Sequence, residues 1–299
     1  MTDDKSPSPE LDDDLDFGRT VLQFFIVPAS VVAACVGLFF FFGWLVSDDK
    51  TGVDYLNEIR AGSENRRWQA AFELSKMITT KSEKERMEGL VPEMVAAFEQ
   101  AEDDDERVRH YLALSLGHLG DDAATPALVE ALGDDDPTTR LYVAWALGSI
   151  GDRHAVPELL ERVGDDDPGV RKIAIYALGA IGDEGAIPRL QVAVSDPVRD
   201  VSWNAAVALA QLGDGSGETQ LLQMLDPEFL QGVADMNEGQ RLLATESAIK
   251  ASALLRSEPL TVKLRSIADG HPNLVIREAA LAALADTQKS EKISTPQDR

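Results

Sequence analysis

The stretch Asp167-Pro168-Gly169-Val170-Arg171-Lys172-Ile173-Ala174-Ile175-Tyr176-Ala177-Leu178-Gly179-Ala180-Ile181-Gly182-Asp183 decides the fold. Asp167 offers a capping carboxylate ahead of a proline whose missing N–H is no loss at the first helical position. Ala174, Ala177, Leu178 and Ile181 then recur at spacings of three, four and seven from one another, which is the apolar face of a helix. Gly182 stops that helix, because glycine tolerates the left-handed geometry of a helix terminus, and Pro188 opens a second one.

The same pattern recurs every 31 residues. Arg109, Arg140, Arg171 and Ser202 mark one position, with Leu seven residues on and Gly eleven on, and the copies close on Gly120-Asp121, Gly151-Asp152, Gly182-Asp183 and Gly213-Asp214. Asp136-Pro137 and Asp196-Pro197 repeat the helix start, Gly151 the stop and Pro157 the second opening. A fixed period of this length marks a two-helix unit that cannot bury its apolar face alone, so neighbours must stack. Looser copies stand at Arg67-Trp68-Gln69-Ala70, at Arg241-Leu242-Leu243-Ala244 and at Arg277-Glu278-Ala279-Ala280, giving seven repeats in 65–285. No alternating strand pattern interrupts them, so the expected fold is an all-α solenoid of helical hairpins.

The run from Asp167 through Asp183, followed by Ala186-Ile187-Pro188-Arg189-Leu190, resembles the HEAT-like repeat of the phycobilin-lyase type. The resemblance is close over 105–213 and looser over 65–285. It implies a right-handed superhelix of helix pairs whose usual role is protein–protein binding or scaffolding.

Outside the array, 1–20 is acidic, with two Ser-Pro steps and no apolar period, and reads as a disordered tail. Residues 21–46 carry no charge, and 26 residues at ~1.5 Å each make about 39 Å of helix, enough to span a bilayer with tilt. The run is longer than a signal-peptide core and ends without a small-residue cleavage pattern, so a retained single-pass anchor is expected. Lys and Arg nearly balance across it, so the positive-inside rule barely separates the two orientations. A lone early anchor leaves 47–299 outside the cytoplasm, the orientation we expect. Ala29, Ala33 and Gly37 make a small-residue face for helix packing, and Pro28 suggests a kink. Residues 47–64 read as a helical connector and 286–299 as a frayed tail.

The chain carries 52 acidic and 28 basic side chains, a net charge of −24. That excludes contacts to a phosphate backbone, which depend on Lys and Arg, so nucleic acid is not an expected partner. Cys35 is the only cysteine, which rules out an intrachain disulfide and a cysteine-rich zinc site.

Three sets of residues stand out within the repeats. Arg109, Arg140 and Arg171 are placed to reach the capping Asp136, Asp167 and Asp196 of a neighbouring turn, a structural ladder. The triplets at 103–105, 134–136 and 165–167 stack at one edge; lacking a spaced calcium-loop pattern, they read as solvated turns and not as a metal site. Trp68, Phe72, Tyr111, Tyr142, Trp145, Tyr176 and Trp203 fall one, two or five residues after the repeat start, a stripe that either fills grooves between helices or binds a partner.

HEAT-like enzymes of the deoxyhypusine hydroxylase kind are known by His-Glu pairs that ligate iron. Here His110, His118, His154 and His271 are followed by Tyr, Leu, Ala and Pro. No phosphate-binding loop, nucleophile elbow or zinc-protease helix is present, so neither catalysis nor a cofactor is expected. The expected function is a membrane-anchored scaffold that binds protein partners, themselves membrane-associated, through the repeat surface. The alternative is an enzyme accessory, similar to the phycobilin lyases, holding a small ligand such as a tetrapyrrole there.

Overall fold

The structure, a computed structural model, describes residues 26–46, 50–78, 80–102, 105–255 and 257–294, with the side chains of all but 42–46 and 287–294. It divides into two compact units, Met1–Thr51 and Gly52–Arg299.

In the first unit α1 (Val27–Val46) is a 20-residue helix without a charged residue, and Val31, Val32, Phe39 and Phe40 are exposed along it. Pro28 falls in its first turn, where a proline is accommodated, and the helix continues from there to Val46. The acidic tail 1–20 and residues 21–25 of the expected span lie outside the described residues. Side chains of α1 are described only as far as Phe41, and among the described residues no helix is long and apolar enough to cross a membrane.

The second unit is all-helical in its described residues. It opens with α2 (Gly52–Ala61), α3 (Glu64–Met77), α4 (Lys81–Met87) and α5 (Val91–Gln100). The expected connector at 47–64 is more than a link: α2 packs on α3 and α5 and buries Leu56 and Ile59. The regular hairpins follow, each a long first helix and a short second one. They are α6 (Glu106–Leu119) with α7 (Thr125–Glu130), α8 (Pro137–Ile150) with α9 (Val156–Arg162), α10 (Pro168–Ile181) with α11 (Ile187–Ala193), and α12 (Arg199–Gln211) with α13 (Glu218–Met224). A short α14 (Pro227–Gln231) precedes the last pair, α15 (Glu238–Leu255) and α16 (Glu258–Gly270), and α17 (Leu274–Ser294) ends the array. The frayed tail expected from 286 is helical as far as Ser294.

The stops fall where glycine permits them. Gly120, Gly151, Gly182 and Gly213 have φ of 73°, 80°, 74° and 77°, left-handed backbone that a side chain would strain. Each following Asp accepts the backbone N–H two residues on and turns the chain into a 3-10 segment that leads to the second helix. The starts are as sharp on α8 and α10, where Asp136 and Asp167 accept from the next two N–H groups behind their prolines. The fourth start differs from expectation. Asp196-Pro197 does not cap a helix; α12 begins at Arg199, and its capping position holds Val198, which has no acceptor.

Successive first helices lie side by side. A Cβ added at Gly117 or Gly148 would stand 2.7 Å from the Cα of Ala146 or Ala177, and one at Gly179 would be 2.9 Å from the Cβ of Ala208. The glycines and the alanines each repeat at the array period, and this pairing sets how closely the units stack. Two hydrophobic clusters result, one from Leu56 to Leu209 and one from Trp203 to Ala283, with α12 contributing to both.

Candidate functional site

The arginine ladder is present, with Arg171 on the expected Asp196 and the Arg109 and Arg140 rungs two residues from their expected partners. Arg140 pairs in two-pronged fashion with Asp165, at 2.9 and 2.8 Å, and Arg171 with Asp196, at 2.9 and 3.1 Å. Arg109 Nη1 donates to Asp134. The partners are thus Asp134, Asp165 and Asp196, which share the 31-residue period, whereas Asp136 and Asp167 serve as helix caps. Two of the guanidiniums also reach backward. Arg140 donates to the carbonyls of Asp134 and Asp135, and Arg171 to those of Asp165 and Asp166, so one side chain ties two consecutive turns together. Burial pushes the Asp165 carboxyl up, but the Arg140 guanidinium and the Asp167 N–H pull harder and leave it below its ordinary value. The same balance lowers Asp196.

Asp136 is more heavily engaged. Burial again raises its carboxyl, while His110, the Thr139 and Thr138 N–H groups and the Thr139 hydroxyl bring it down to about 2. The turn acids are therefore occupied by helix starts and arginines, with Asp135 and Asp166 pointing their side chains into solvent. Among the described residues no group of three or more His, Cys, Asp or Glu could hold a metal ion; Asp103 and Asp104 lie outside them.

The aromatic set lies on successive first helices, and most of its members touch the next helix along. Arg107 of α6 sits over the Trp68 ring of α3 at 4.3 Å. Phe72 meets Tyr111 edge to face, His110 stacks on Tyr142 and His118 meets Trp145 edge to face, each at 5.1 Å between centroids. These rings are half-buried, and Trp68, Tyr111, Tyr142 and Trp145 pack against the core. Trp203 departs from a surface stripe, being 5% exposed within the second cluster, while Tyr176 is 42% exposed. Ala29, Ala33 and Gly37 share α1, where a Cβ at Gly37 would meet nothing within 4 Å.

Beyond Tyr176 the surface opens into a groove of about 760 Å³ between α10, α12 and α15. Its floor is Trp203 and Met224, its walls include Tyr176 and Leu243, and Lys172, Arg199 and Lys250 border it. Sequence reasoning passed over all of these except Tyr176 and Trp203. The signal that could have found them is the failure of the period after Asp214, where no Gly-Asp pair recurs at the next step and the following unit starts late.

Comparison with known proteins supports the repeat architecture. The family model described as HEAT repeats matches residues 94–172 and 156–235. The structure is similar to the complex of CpcE and CpcF of phycocyanin lyase from Nostoc sp. PCC7120, with a TM-score of 0.53 and 22% identity, covering 80% of this chain and 94% of that one. At that identity the likeness shows the fold. A designed armadillo repeat protein in complex with peptide (KR)4 gives a TM-score of 0.43 at 18% identity, covering 78% of this chain and 98% of that one. An engineered protein gives 0.42 at 18%, covering 79% and 95%. No curated protein matches the chain in sequence.

Proposed function

We propose that this HEAT-like repeat protein is a membrane-anchored, non-catalytic scaffold that holds a protein partner along a concave or edge surface of its repeats, alone or as a subunit of a membrane complex. The observation that carries the reading is the row of half-buried aromatic rings on α3, α6, α8 and α10, which ends at the exposed Tyr176. Rings held by a neighbouring helix lose little freedom on binding, and aromatic side chains concentrate interface energy.

The anchor is supported by the charge-free sequence 21–46 and by the exposed valines and phenylalanines of α1, which water would leave unpaid and a bilayer would cover. A single early anchor favours the non-cytoplasmic side for the repeat unit; protease digestion of intact spheroplasts that spares 47–299 would reverse that reading. The non-catalytic reading rests on the sequence, which carries no phosphate-binding loop, nucleophile elbow or zinc-protease helix.

Crosslinking in detergent extracts tests the scaffold reading. Recovery of a stoichiometric partner, lost when Tyr142, Trp145 and Tyr176 are changed to Ala while helical circular dichroism is kept, is the expected result. Unchanged recovery would sink the stripe. The groove volume lies in the range of small-ligand sites, which favours as second reading a lyase-like accessory holding a tetrapyrrole or similar ligand. A visible absorbance band that copurifies with the protein would select it.

A further inference from the structure

The groove between α10, α12 and α15 has a charge balance opposite to that of the chain. Across the whole sequence 28 basic side chains face 52 acidic ones, but the groove is bordered by Lys172, Arg199 and Lys250 against Asp200 and Asp235. Two of these cations lack a close carboxylate. Lys172 is half-buried and has no ion pair or hydrogen bond among the described residues. Arg199 comes no nearer to Asp200 than 3.9 Å, its Nε is buried without a hydrogen-bond partner, and its guanidinium lies 5.3 Å over the Trp203 ring. The Lys172 stem is half-buried with its ammonium unpaired among the described residues, and the unfilled, buried guanidinium N–H of Arg199 carries a desolvation penalty.

The apolar part of the groove complements this. Leu243 is 65% exposed at its mouth and Leu254 54%, above a floor of Trp203 and Met224 that is nearly closed to solvent. The result is an apolar slot with unsatisfied positive charge on its border.

We propose that this groove is the anchor point for an acidic, apolar segment of the partner protein: a bulky side chain enters beside Leu243 over Trp203, and a flanking Asp or Glu is received by Lys172 and Arg199. This deepens the scaffold reading and rests on it. The carboxylate completes the two cations, and the apolar side chain covers Leu243, so one short segment satisfies both. Long-range repulsion from a chain of net charge −24 opposes the approach of such a segment, so added salt speeds association even as it weakens the final contacts.

Selection of displayed random peptides against the full-length protein in detergent tests this, with the L243D variant as counter-selection. Leu243 is exposed, so its replacement leaves the fold intact, which circular dichroism checks. Enrichment of peptides with Asp or Glu close to Phe, Leu or Trp is the expected outcome, with binding about tenfold weaker on K172E. A basic or charge-free consensus, or full binding by K172E, overturns the assignment. So would a small carboxylate amphiphile seen by native mass spectrometry and released in L243D, or a dimer of this chain that L243D dissolves. Partner crosslinking that survives K172E and L243D but not the Tyr142, Trp145 and Tyr176 changes would end this inference and leave the scaffold reading standing; survival through all of them would end both.

Discussion

Replacing Arg140 by Met keeps most of the aliphatic stem and removes the guanidinium that joins two turns. Four hydrogen bonds go with it, two to the Asp165 carboxylate and two to the carbonyls of Asp134 and Asp135. The Asp165 side chain is only 3% exposed and that of Arg140 14%, so solvent cannot substitute freely for either. Breaking a buried pair costs ~3–5 kcal/mol, most of it from the charge left behind. Asp165 keeps the Asp167 N–H at 3.0 Å and Arg162 at 3.6 Å, which brings the expected loss to the lower end, about 3 kcal/mol. Asp165→Asn should lose somewhat less, and the double variant should fall short of the sum by about 2 kcal/mol, the coupling of the pair. The readout is urea unfolding of the full chain in detergent, with hydrogen exchange to localise the effect to α8, α10 and the turns between. Because the Asp165 carboxyl is lowered in the folded protein, the coupling is present above the ordinary carboxylate pKa and is lost as pH falls below it. A loss under about 1 kcal/mol, or strictly additive variants, would show that the ladder decorates the edge without holding it.

Three further substitutions probe other parts of the same design. Gly148→Ala puts a methyl 2.7 Å from the Cα of Ala177; overpacking should outweigh the gain in helix propensity by ~1–2 kcal/mol, whereas Gly133→Ala, with nothing within 4 Å, should stay near neutral in the same urea titration. Asp136 has its carboxyl at about 2 against an ordinary 3.8, so its ionised form contributes about 2 kcal/mol above pH 3.8, lost as pH falls towards 2; Asp136→Asn should be less stable at neutral pH and flatten that part of the acid profile. Val198→Asp supplies the cap that α12 lacks and should stabilise by about 1 kcal/mol, seen as a higher urea midpoint; no gain would mean that the Val198 backbone, at φ −89° and ψ 112°, is not held as Asp136 and Asp167 are.

The repeat could be read from residues because its local chemistry is strict. Gly120, Gly151, Gly182 and Gly213 needed left-handed backbone, Pro157 and Pro188 needed helix starts, and period alone placed them. The ladder was readable as a pairing and misread in register, because three consecutive aspartates in a turn offer the arginine equivalent charge. Only the path of the turn decides which carboxylate faces inward and which caps the helix. Asp196 misled for a related reason: it precedes a proline as Asp136 does, but by spacing it is the counterpart of Asp134 and Asp165. The aromatic residues were located on their helices and not in depth. Trp203 carries the same offset as Trp68, and it is buried in the second cluster, where α12 packs against α13 and against α15, whose placement the period did not reach.

The groove arises where two periodic features fail at the same step. First helices begin at Glu106, Pro137, Pro168 and Arg199, each 31 residues on, and the next would begin at 230; α15 begins at Glu238, with α14 occupying the added length. The close-approach pair fails too. The series Gly117, Gly148, Gly179 continues to Ala210, and the facing series Ala146, Ala177, Ala208 continues to Gly239, outside the tight contact of the earlier steps. Without a glycine on α12 to receive an alanine from the next helix, α15 cannot settle as closely as α8, α10 and α12 do on one another. A solenoid distributes its core as repeated nearest-neighbour contacts, so a wider step at one position leaves the others undisturbed and opens a slot there alone. Lys172, Arg199 and Leu243 border that slot, where the leucine is exposed, Lys172 has no ion pair among the described residues and Arg199 has only Asp200, at 3.9 Å.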